Sequence, residues 1–291
     1  MMGVLRVFAA RVPPTIGNPL ADRIGDVVYR YAAKSRRYAT ANVRHVLGPG
    51  ASRQEVRRVV HGIFHNVMRN YYDLCRAPDM RDQEIDRVVD FDEEGWQRVL
   101  ALHEQKRGVI LVTAHFGSFD MMTHVLTRRG LPLSALVARV RPAWLSDFVT
   151  IQRAARGINI LMVGEEEAGG LNLSALKRCV QILRAGGTVG MIADRNLEAV
   201  GVPIRFFGKE TLVAAGVAKM AIRTRSVIIP TFCYRLPGNR YSLIFEDSLE
   251  PPTTGSDEDV KGLLTTIFAR MEYHIRRKPD QWVLLQPVWR S

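Results

Sequence analysis

Hydrophobic and polar positions follow two different patterns along this chain, and the change of pattern divides it in two. Over residues 1–90 the apolar spacing is typical of helices. The clearest helix begins after Ser52, a capping residue followed by Glu55 at the third position, and it is predicted to run to about Cys75. From Gly108 onward, short apolar runs alternate with helical stretches.

The alternation after Gly108 predicts an α/β fold with a mixed central sheet flanked by helices. Six runs have strand character: 109–113, 134–137, 158–162, 188–193, 226–234 and 241–245. Helices are predicted at 119–129, 142–156, 172–185, 211–224 and 257–277. We expect a basic helical segment over residues 1–90, packed as one structural unit on an α/β core over residues 91–291.

Composition and charge limit the partners. Apolar residues make up 47% of the 291 residues, enough for a sizeable core, and the formal net charge is +12. About half of this excess lies in residues 1–50, which hold eight Lys or Arg and two Asp or Glu. A basic surface favours nucleic acid, anionic lipid or a phosphorylated substrate, or it is a solvated surface without a specific partner.

Several classes of protein are disfavoured. The three cysteines form neither a zinc motif nor a disulfide framework, which favours a reducing compartment. No run approaches the roughly 20 apolar residues of a transmembrane helix, and no signal peptide is evident. Nucleotide cradles of the GxGxxG and GxxxxGK[ST] types and the GxSxG serine elbow are absent. His61 and His65 have helical i, i+4 spacing, but no third ligand is suggested, so no metal site is expected.

The segment between Val109 and Asp120 carries the main candidate chemistry. An apolar strand ends at His115, Gly117 forms a turn with Ser118, and Asp120 falls in the first turn of the next helix. From there the carboxylate of Asp120 could reach back to the imidazole and orient it as a general base. Amides at the helix start would favour developing negative charge. The ordinary alternatives are a hydrogen-bonded structural histidine and a capping aspartate.

Three further groups are candidates for substrate binding. Asp194 and Arg195 follow the strand 188–193, where they are either a polar pair on a site rim or a surface ion pair. Phe206, Phe207 and Gly208 could line an apolar trough, or they form a turn with core aromatics. Four arginines follow the second strand and could bind phosphate or form a solvated helix face: Arg139, Arg141, Arg153 and Arg156.

In their order and spacing these motifs resemble the lipid A biosynthesis acyltransferase family, within the lysophospholipid acyltransferase-like superfamily. The phosphatidylinositol mannoside acyltransferases look the closer branch. The segment His115–Asp120 matches the family motif H-x4-D. The other similar elements are Arg141-Pro142 ("RP"), the downstream Arg156, Ala193–Asn196 ("ADRD", with Asn196 as a departure), Gly201–Gly208 ("GVxVxFFG") and Pro279–Trp282 ("PxxW").

The resemblance implies a peripheral membrane O-acyltransferase on the cytoplasmic face of the cell membrane. It would move a fatty acyl chain from acyl-CoA or acyl carrier protein to a hydroxyl of a phosphatidylinositol mannoside-like or lipid A-like glycolipid. His115 would act as the base, Asp120 would fix its tautomer, and amides near Gly117 would stabilise the oxyanion. The implied substrate-binding residues are Gly117, Arg141, Arg156, Asp194, Arg195, Phe206, Phe207 and Gly208.

The resemblance implies that no metal or bound cofactor is required and that nucleic acid is not a partner. Two alternatives remain for the same fold. One is a catalytically silent lipid-binding protein, and the other is an acyl thioesterase in which the same histidine activates water. A nucleic-acid binder remains a further interpretation of the charge alone.

Overall fold

Three helices open the fold. In this computed structural model, residues 11–139, 142–155, 157–163, 173–196 and 200–289 are described. The helices are α1 (Pro14–Tyr31), α2 (Ala33–Leu47) and α3 (Arg53–Arg76). The predicted start of α3 is confirmed, because the hydroxyl oxygen of Ser52 accepts a hydrogen bond from the backbone N–H of Glu55 at 3.1 Å. Both α1 and α2 pack on α3.

Strands and helices then alternate as the apolar runs predicted. The elements are α4 (Asp82–Val88), β1 (Val89–Phe91), α5 (Glu93–Glu104), β2 (Val109–Thr113), α6 (Phe119–Arg128), β3 (Leu133–Ala138), α7 (Ala143–Ala154), β4 (Asn159–Val163), α8 (Leu173–Arg184), β5 (Thr188–Ile192), β6 (Val202–Phe206), β7 (Lys209–Val213), α9 (Gly216–Thr224), β8 (Val227–Leu236), β9 (Arg240–Phe245) and α10 (Asp257–Arg277). A short 3-10 turn, Pro279–Gln281, follows α10.

Seven strands form one mixed sheet in the order β1-β9-β8-β2-β5-β3-β4. All neighbouring strands are parallel except β8 and β9, which pair antiparallel. The predicted mixed α/β sheet is thus confirmed. β2 lies in the middle, with Thr113 paired with Ile192 of β5. The carboxyl ends of β2 and β5 therefore meet at one edge of the sheet.

The side chains of β2 show how the sheet separates two core layers. Ile110 and Val112 belong to a cluster with α8, α9 and α10, whereas Val109 and Leu111 belong to a cluster with α5 and α6. Alternate side chains of a strand point to opposite faces, and helices cover both faces here. This explains why the run is apolar at every position rather than at every second one.

The prediction of a helix at 211–224 is wrong at its beginning. Residues 209–213 form β7, which pairs antiparallel with β6, and α9 begins only at Gly216. The two strands are joined by Phe207 and Gly208, with φ angles of 51° and 76°. Positive φ at both central residues is the geometry of a tight hairpin turn. The sequence has Phe rather than Asn or Asp at the first turn position, so the usual hairpin signal is missing.

One face of α1 carries an unusual row of exposed apolar side chains. They recur every three or four positions and are between 47% and 76% exposed: Ile16, Leu20, Ile24, Val27 and Tyr31. The other face has small residues, Gly17, Ala21 and Gly25, which are buried. In the described ranges, no helix combines the length and apolarity needed to cross a bilayer.

Candidate active site

The candidate base and a buried carboxylate meet at the edge formed by the ends of β2 and β5. The imidazole Nδ1 of His115 lies 2.7 Å from Oδ1 of Asp194, and the backbone N–H of His115 donates to Oδ2 at 2.9 Å. The indole N–H of Trp282 donates to the same Oδ2 at 2.8 Å. An ionised carboxylate can only accept, so in the neutral imidazole the Nδ1 atom carries the proton and the Nε2 atom has the lone pair.

Asp194 is ionised in this environment although its side chain is completely buried. Burial by itself would raise the pKa of the carboxyl group. The charge interaction with His115 and the hydrogen bonds from His115 and Trp282 outweigh burial and leave the pKa below its ordinary value. The side chain of His115, by contrast, is 24% exposed. The pair thus has a fixed, charged inner partner and an imidazole that is open to solvent.

The predicted contact between Asp120 and the imidazole is wrong. Asp120 lies in the first turn of α6 as expected, but its carboxylate binds Arg153 of α7. The Arg153 Nε–H donates to Oδ1 at 2.6 Å and Nη2 donates to Oδ2 at 3.3 Å. Both side chains are largely buried, with exposed fractions of 8% and 15%. A buried carboxylate needs a countercharge, and a bidentate guanidinium supplies it. The catalytic role of Asp120 itself stays a prediction.

The loop after His115 is fixed by close backbone contacts. A Cβ atom on Gly117 would lie 1.9 Å from the carbonyl oxygen of Cys233, and its φ is +58°, so only glycine fits. The Gly117 N–H donates to the carbonyl of Gln281 at 2.8 Å, and the Ser118 N–H donates to that of Cys233 at 2.9 Å. These amides already have acceptors, so the expected role of the Gly117 amide as an oxyanion donor is wrong for this conformation.

A buried polar network supports this loop from α3 and β8. Asp73 accepts hydrogen bonds from Ser118 (2.8 Å), Arg235 (2.7 Å) and Tyr241 (2.8 Å). Asn70 donates to the carbonyl of Gly117 at 2.8 Å and accepts from Arg235 at 2.7 Å. Burial alone would lower the pKa of the Arg235 guanidinium, but Asp73 raises it above its ordinary value. The available sequence signal was a charged residue, Arg235, directly after the predicted strand 226–234, and it was missed.

The predicted aromatic wall is part of the core instead of an open trough. Phe206 and Phe207 are 0% and 7% exposed. Their ring centroids lie 6.0 and 6.1 Å from that of Trp282, the residue whose N–H binds Asp194. Gly208 lies in the exposed hairpin turn. The interpretation as a turn with core aromatics is the one that the structure supports, and these rings act on the site only by packing Trp282.

The predicted arginines have different outcomes. The Nε atom of Arg195 is buried, and no acceptor lies beside it within the described ranges. Burial lowers the pKa of this guanidinium, while Asp194 raises it. Arg139 is exposed. Arg141 and Arg156 lie outside the described residues, so their predicted roles stay predictions.

A cavity of about 390 Å³ lies beside Asn196, the second residue after Asp194. Residues of α2 and of the segment that follows Trp282 line it. Polar groups from α2 line one side of it: Lys34, Ser35 and Tyr38. The cavity therefore combines a cation, hydroxyl groups and an amide near the end of β5.

Comparison with known proteins defines the family. The profile of the bacterial lipid A biosynthesis acyltransferases matches residues 1–291, so the chain belongs to this family. Among individual proteins, the chain is similar to two phosphatidylinositol mannoside acyltransferases. The protein of Mycobacterium tuberculosis (strain CDC 1551 / Oshkosh) is 26% identical over 221 residues, which cover 76% of this chain and 67% of that protein. The protein of Mycolicibacterium smegmatis is 27% identical over 183 residues, which cover 63% and 57%.

A lipid A biosynthesis acyltransferase of Haemophilus influenzae is more distant but matches over a longer range. It is 20% identical over 287 residues, which cover 98% of this chain and 85% of that protein. The family predicted from the motifs is confirmed, and the chain is an acyltransferase.

Proposed function

We propose that this protein is a peripheral membrane O-acyltransferase that acylates a hydroxyl of a glycolipid. The names of its relatives support a phosphatidylinositol mannoside-like or lipid A-like acceptor. The observation that carries the proposal is the His115–Asp194 pair at the edge where β2 and β5 end. The acyl donor is acyl-CoA or acyl carrier protein, which serves as a co-substrate, and the chemistry uses no bound metal or cofactor.

The pair supports direct transfer without an acyl-enzyme. Asp194 holds the Nδ1–H, so the Nε2 lone pair of His115 removes the proton from the acceptor hydroxyl as its oxygen attacks the thioester carbonyl. The tetrahedral intermediate then collapses and the carbon–sulfur bond breaks. The imidazolium returns its proton to the departing thiolate. Asp194 stabilises the positive imidazolium between these two proton transfers.

Negative charge on the intermediate needs donors other than the amides of the His115 loop. The beginning of α6 supplies them, because the first N–H groups of a helix have no partner within the helix. Ser118 makes no side-chain cap there, since its hydroxyl donates to Asp73. The ring of Phe119, the first residue of α6, lies 5.8 Å from the His115 ring. The helix start is therefore beside the reacting groups.

Arg195 and the neighbouring cavity suit the polar part of a substrate. Arg195 directly follows Asp194 in the sequence, and its Nε–H is buried without an acceptor among the residues that the structure describes. A buried donor of this kind is stabilised when a ligand oxygen accepts from it. The cavity beside Asn196 adds the cation of Lys34 and the hydroxyl of Tyr38. We place a phosphate or sugar headgroup here.

The membrane-facing surface is the exposed apolar row on α1. Five exposed cations belong to the same part of the chain: Arg11 before α1, Arg23 and Arg30 on α1, and Lys34 and Arg37 on α2. Basic residues near an anionic leaflet contribute about 1 kcal/mol each. Apolar insertion and charge together give stable attachment to the surface of the cytoplasmic leaflet. The apolar row and the cations are thus two separate attachment signals, as a peripheral enzyme with a lipid acceptor needs.

The deciding experiment compares wild type with His115→Ala in the presence of palmitoyl-CoA and a mixed extract of bacterial glycolipids. We expect thiol release and a new acylated glycolipid in the mass spectrum with wild type only. His103→Ala is the matched control, because this imidazole binds Thr188 away from the pair. Full activity in His115→Ala would overturn the proposal. Thiol release without an acylated lipid would favour a thioesterase. Vesicle binding without turnover of palmitoyl-CoA, or of an acyl carrier protein donor tested in the same way, would favour a silent lipid-binding protein.

A further inference from the structure

A cluster of imidazole and carboxylate groups lies at the contact between α1 and α3. The Nε2 atoms of His61 and His65 lie 2.9 and 2.7 Å from the same oxygen, Oδ1 of Asp26. The candidate ligand atoms of all three residues are within 4.8 Å of one another. The sequence suggested no third ligand for the two histidines, because Asp26 is supplied by a different helix.

The backbone packing of the two helices sets the positions of these groups. His61 and His65 are one turn apart on α3, so their rings share one face with centroids 4.4 Å apart. Opposite them, α1 presents Gly25, where an added Cβ would lie 3.0 Å from the His65 ring. This close approach brings the next residue, Asp26, onto the imidazole pair. The Tyr29 ring packs edge-on to His61 at 5.0 Å.

A second carboxylate lies behind one of the histidines. Asp22 Oδ1 is 3.8 Å from the Nδ1 atom of His65, the ring nitrogen that faces away from Asp26. Arg69 fixes Asp22 through two hydrogen bonds of 2.7 and 2.6 Å. Histidines that bind metals usually direct their other N–H toward such a carboxylate. Binding of a metal at Nε2 would leave the proton on Nδ1, on the side of Asp22.

We propose that Asp26, His61 and His65 bind one divalent transition-metal ion of the zinc class, with water in the remaining position. Two imidazole nitrogens and a carboxylate oxygen are ligands that Zn²⁺ accepts in tetrahedral geometry. The side chains are 35%, 40% and 23% exposed, so an ion can enter from solvent.

Two arginines lie near the cluster, and neither one blocks the position proposed for the ion. Arg23 lies 3.7 Å from Asp26 Oδ2, but its side chain is 85% exposed and can turn into solvent. Arg69 is occupied by Asp22. The bound ion would fasten α1 to α3 and fix the orientation of the exposed apolar row, which lies on another face of α1. The site is separate from His115 and does not depend on the proposed acyl transfer.

The test is a zinc titration of tag-free, chelator-stripped protein in competition with a chromophoric chelator. We expect one tightly bound Zn²⁺ in wild type and an affinity at least about 100-fold lower in His65→Gln and Asp26→Asn. Asp22→Asn should lose about 10-fold to 100-fold, the effect of an outer carboxylate. His45→Gln is the matched control, since His45 packs on Trp289 away from the cluster.

Two further measurements distinguish a specific metal site from incidental binding of the ion. Co²⁺ should give visible absorption bands in wild type and lose them in His65→Gln. Zn²⁺ should raise the melting temperature of wild type and leave that of the variant unchanged. Circular dichroism of the metal-free variants checks that they fold. Equal zinc affinity in wild type and a His61→Gln/His65→Gln double variant would overturn the proposal.

Discussion

The Nδ1 atom of His115 lies 2.7 Å from Oδ1 of Asp194, a residue 79 positions later in the chain. Asp120 is nearer to His115 in sequence, but its carboxylate accepts a hydrogen bond from Arg153. The two acids near the candidate base therefore have different surroundings. One touches the imidazole directly, while the other joins α6 to α7. We therefore expect Asp194 to orient the imidazole and Asp120 to stabilise the packing of α6 on α7, and substitutions can test the two roles separately.

Asp194→Asn is expected to lower the acyl-transfer rate by about 10³-fold to 10⁴-fold, because an amide no longer fixes the Nδ1–H tautomer of His115. The apparent KM for the acyl donor should change little. Steady-state kinetics on purified protein checks both values. A rate within tenfold of wild type would contradict the role given to Asp194.

Asp120→Asn should act mainly through stability. It weakens a buried ion pair with Arg153, and we expect a loss of about 1–3 kcal/mol in the free energy of unfolding. The pH–rate profile of the folded fraction should keep the shape of wild type. Urea unfolding and the pH profile together test this. A displaced profile in Asp120→Asn would instead indicate direct contact with the reacting groups.

Gly117→Ala should abolish most activity, because its Cβ would collide with the carbonyl of Cys233 at 1.9 Å. A displacement of the loop by about 1 Å costs on the order of 10²-fold in rate. Gly208→Ala is the matched control, since its φ is +76° but nothing lies within 4 Å of the added Cβ. That variant should keep its activity with a small loss of stability. Equal effects on rate would mean that backbone strain alone is responsible.

The buried network under the loop should dominate local stability. Asp73→Ala leaves the Arg235 guanidinium buried without its charge partner, and such losses are about 3–5 kcal/mol. Glu94→Ala, which removes the 92% exposed partner of Arg98, should change the free energy of unfolding by less than about 1 kcal/mol. Denaturant titration of both variants measures the contrast. Similar small changes would show that solvent reaches the network.

Stability at acid pH should depend on Asp194. Burial favours its neutral form, but His115 and Trp282 outweigh this and hold its pKa below the ordinary 3.8. The unfolded state therefore binds more protons, and the contribution of this group is complete above about pH 4. It is lost as pH falls through the folded-state pKa. Asp194→Asn cannot titrate, so its stability should fall less steeply below pH about 4 in urea titrations. Parallel curves would contradict this.

Much of the fold follows from local pattern. The apolar run 109–113 is β2 at the residues predicted, and the helix predicted at 257–277 is α10 at the same residues. Buried strands and capped helices have strong local signals because each residue's contacts repeat at a fixed period. β1 has only three residues, too few to show a period. The β6–β7 hairpin lacked the usual turn residues, so its second strand was predicted as helix.

The apolar runs of the chain were enough to place His115 after one buried strand and Asp194 after another. That the two side chains meet could be seen only in the folded protein. The register that pairs Thr113 with Ile192 brings the two strand ends together, and spacing along the chain contains no information about that pairing. Asp120 was favoured because it is near in sequence, but distance in a folded chain is set by the packing of elements. For the same reason, the contacts of Asp26 with His61 and of Asp73 with Arg235 could not be predicted from the sequence.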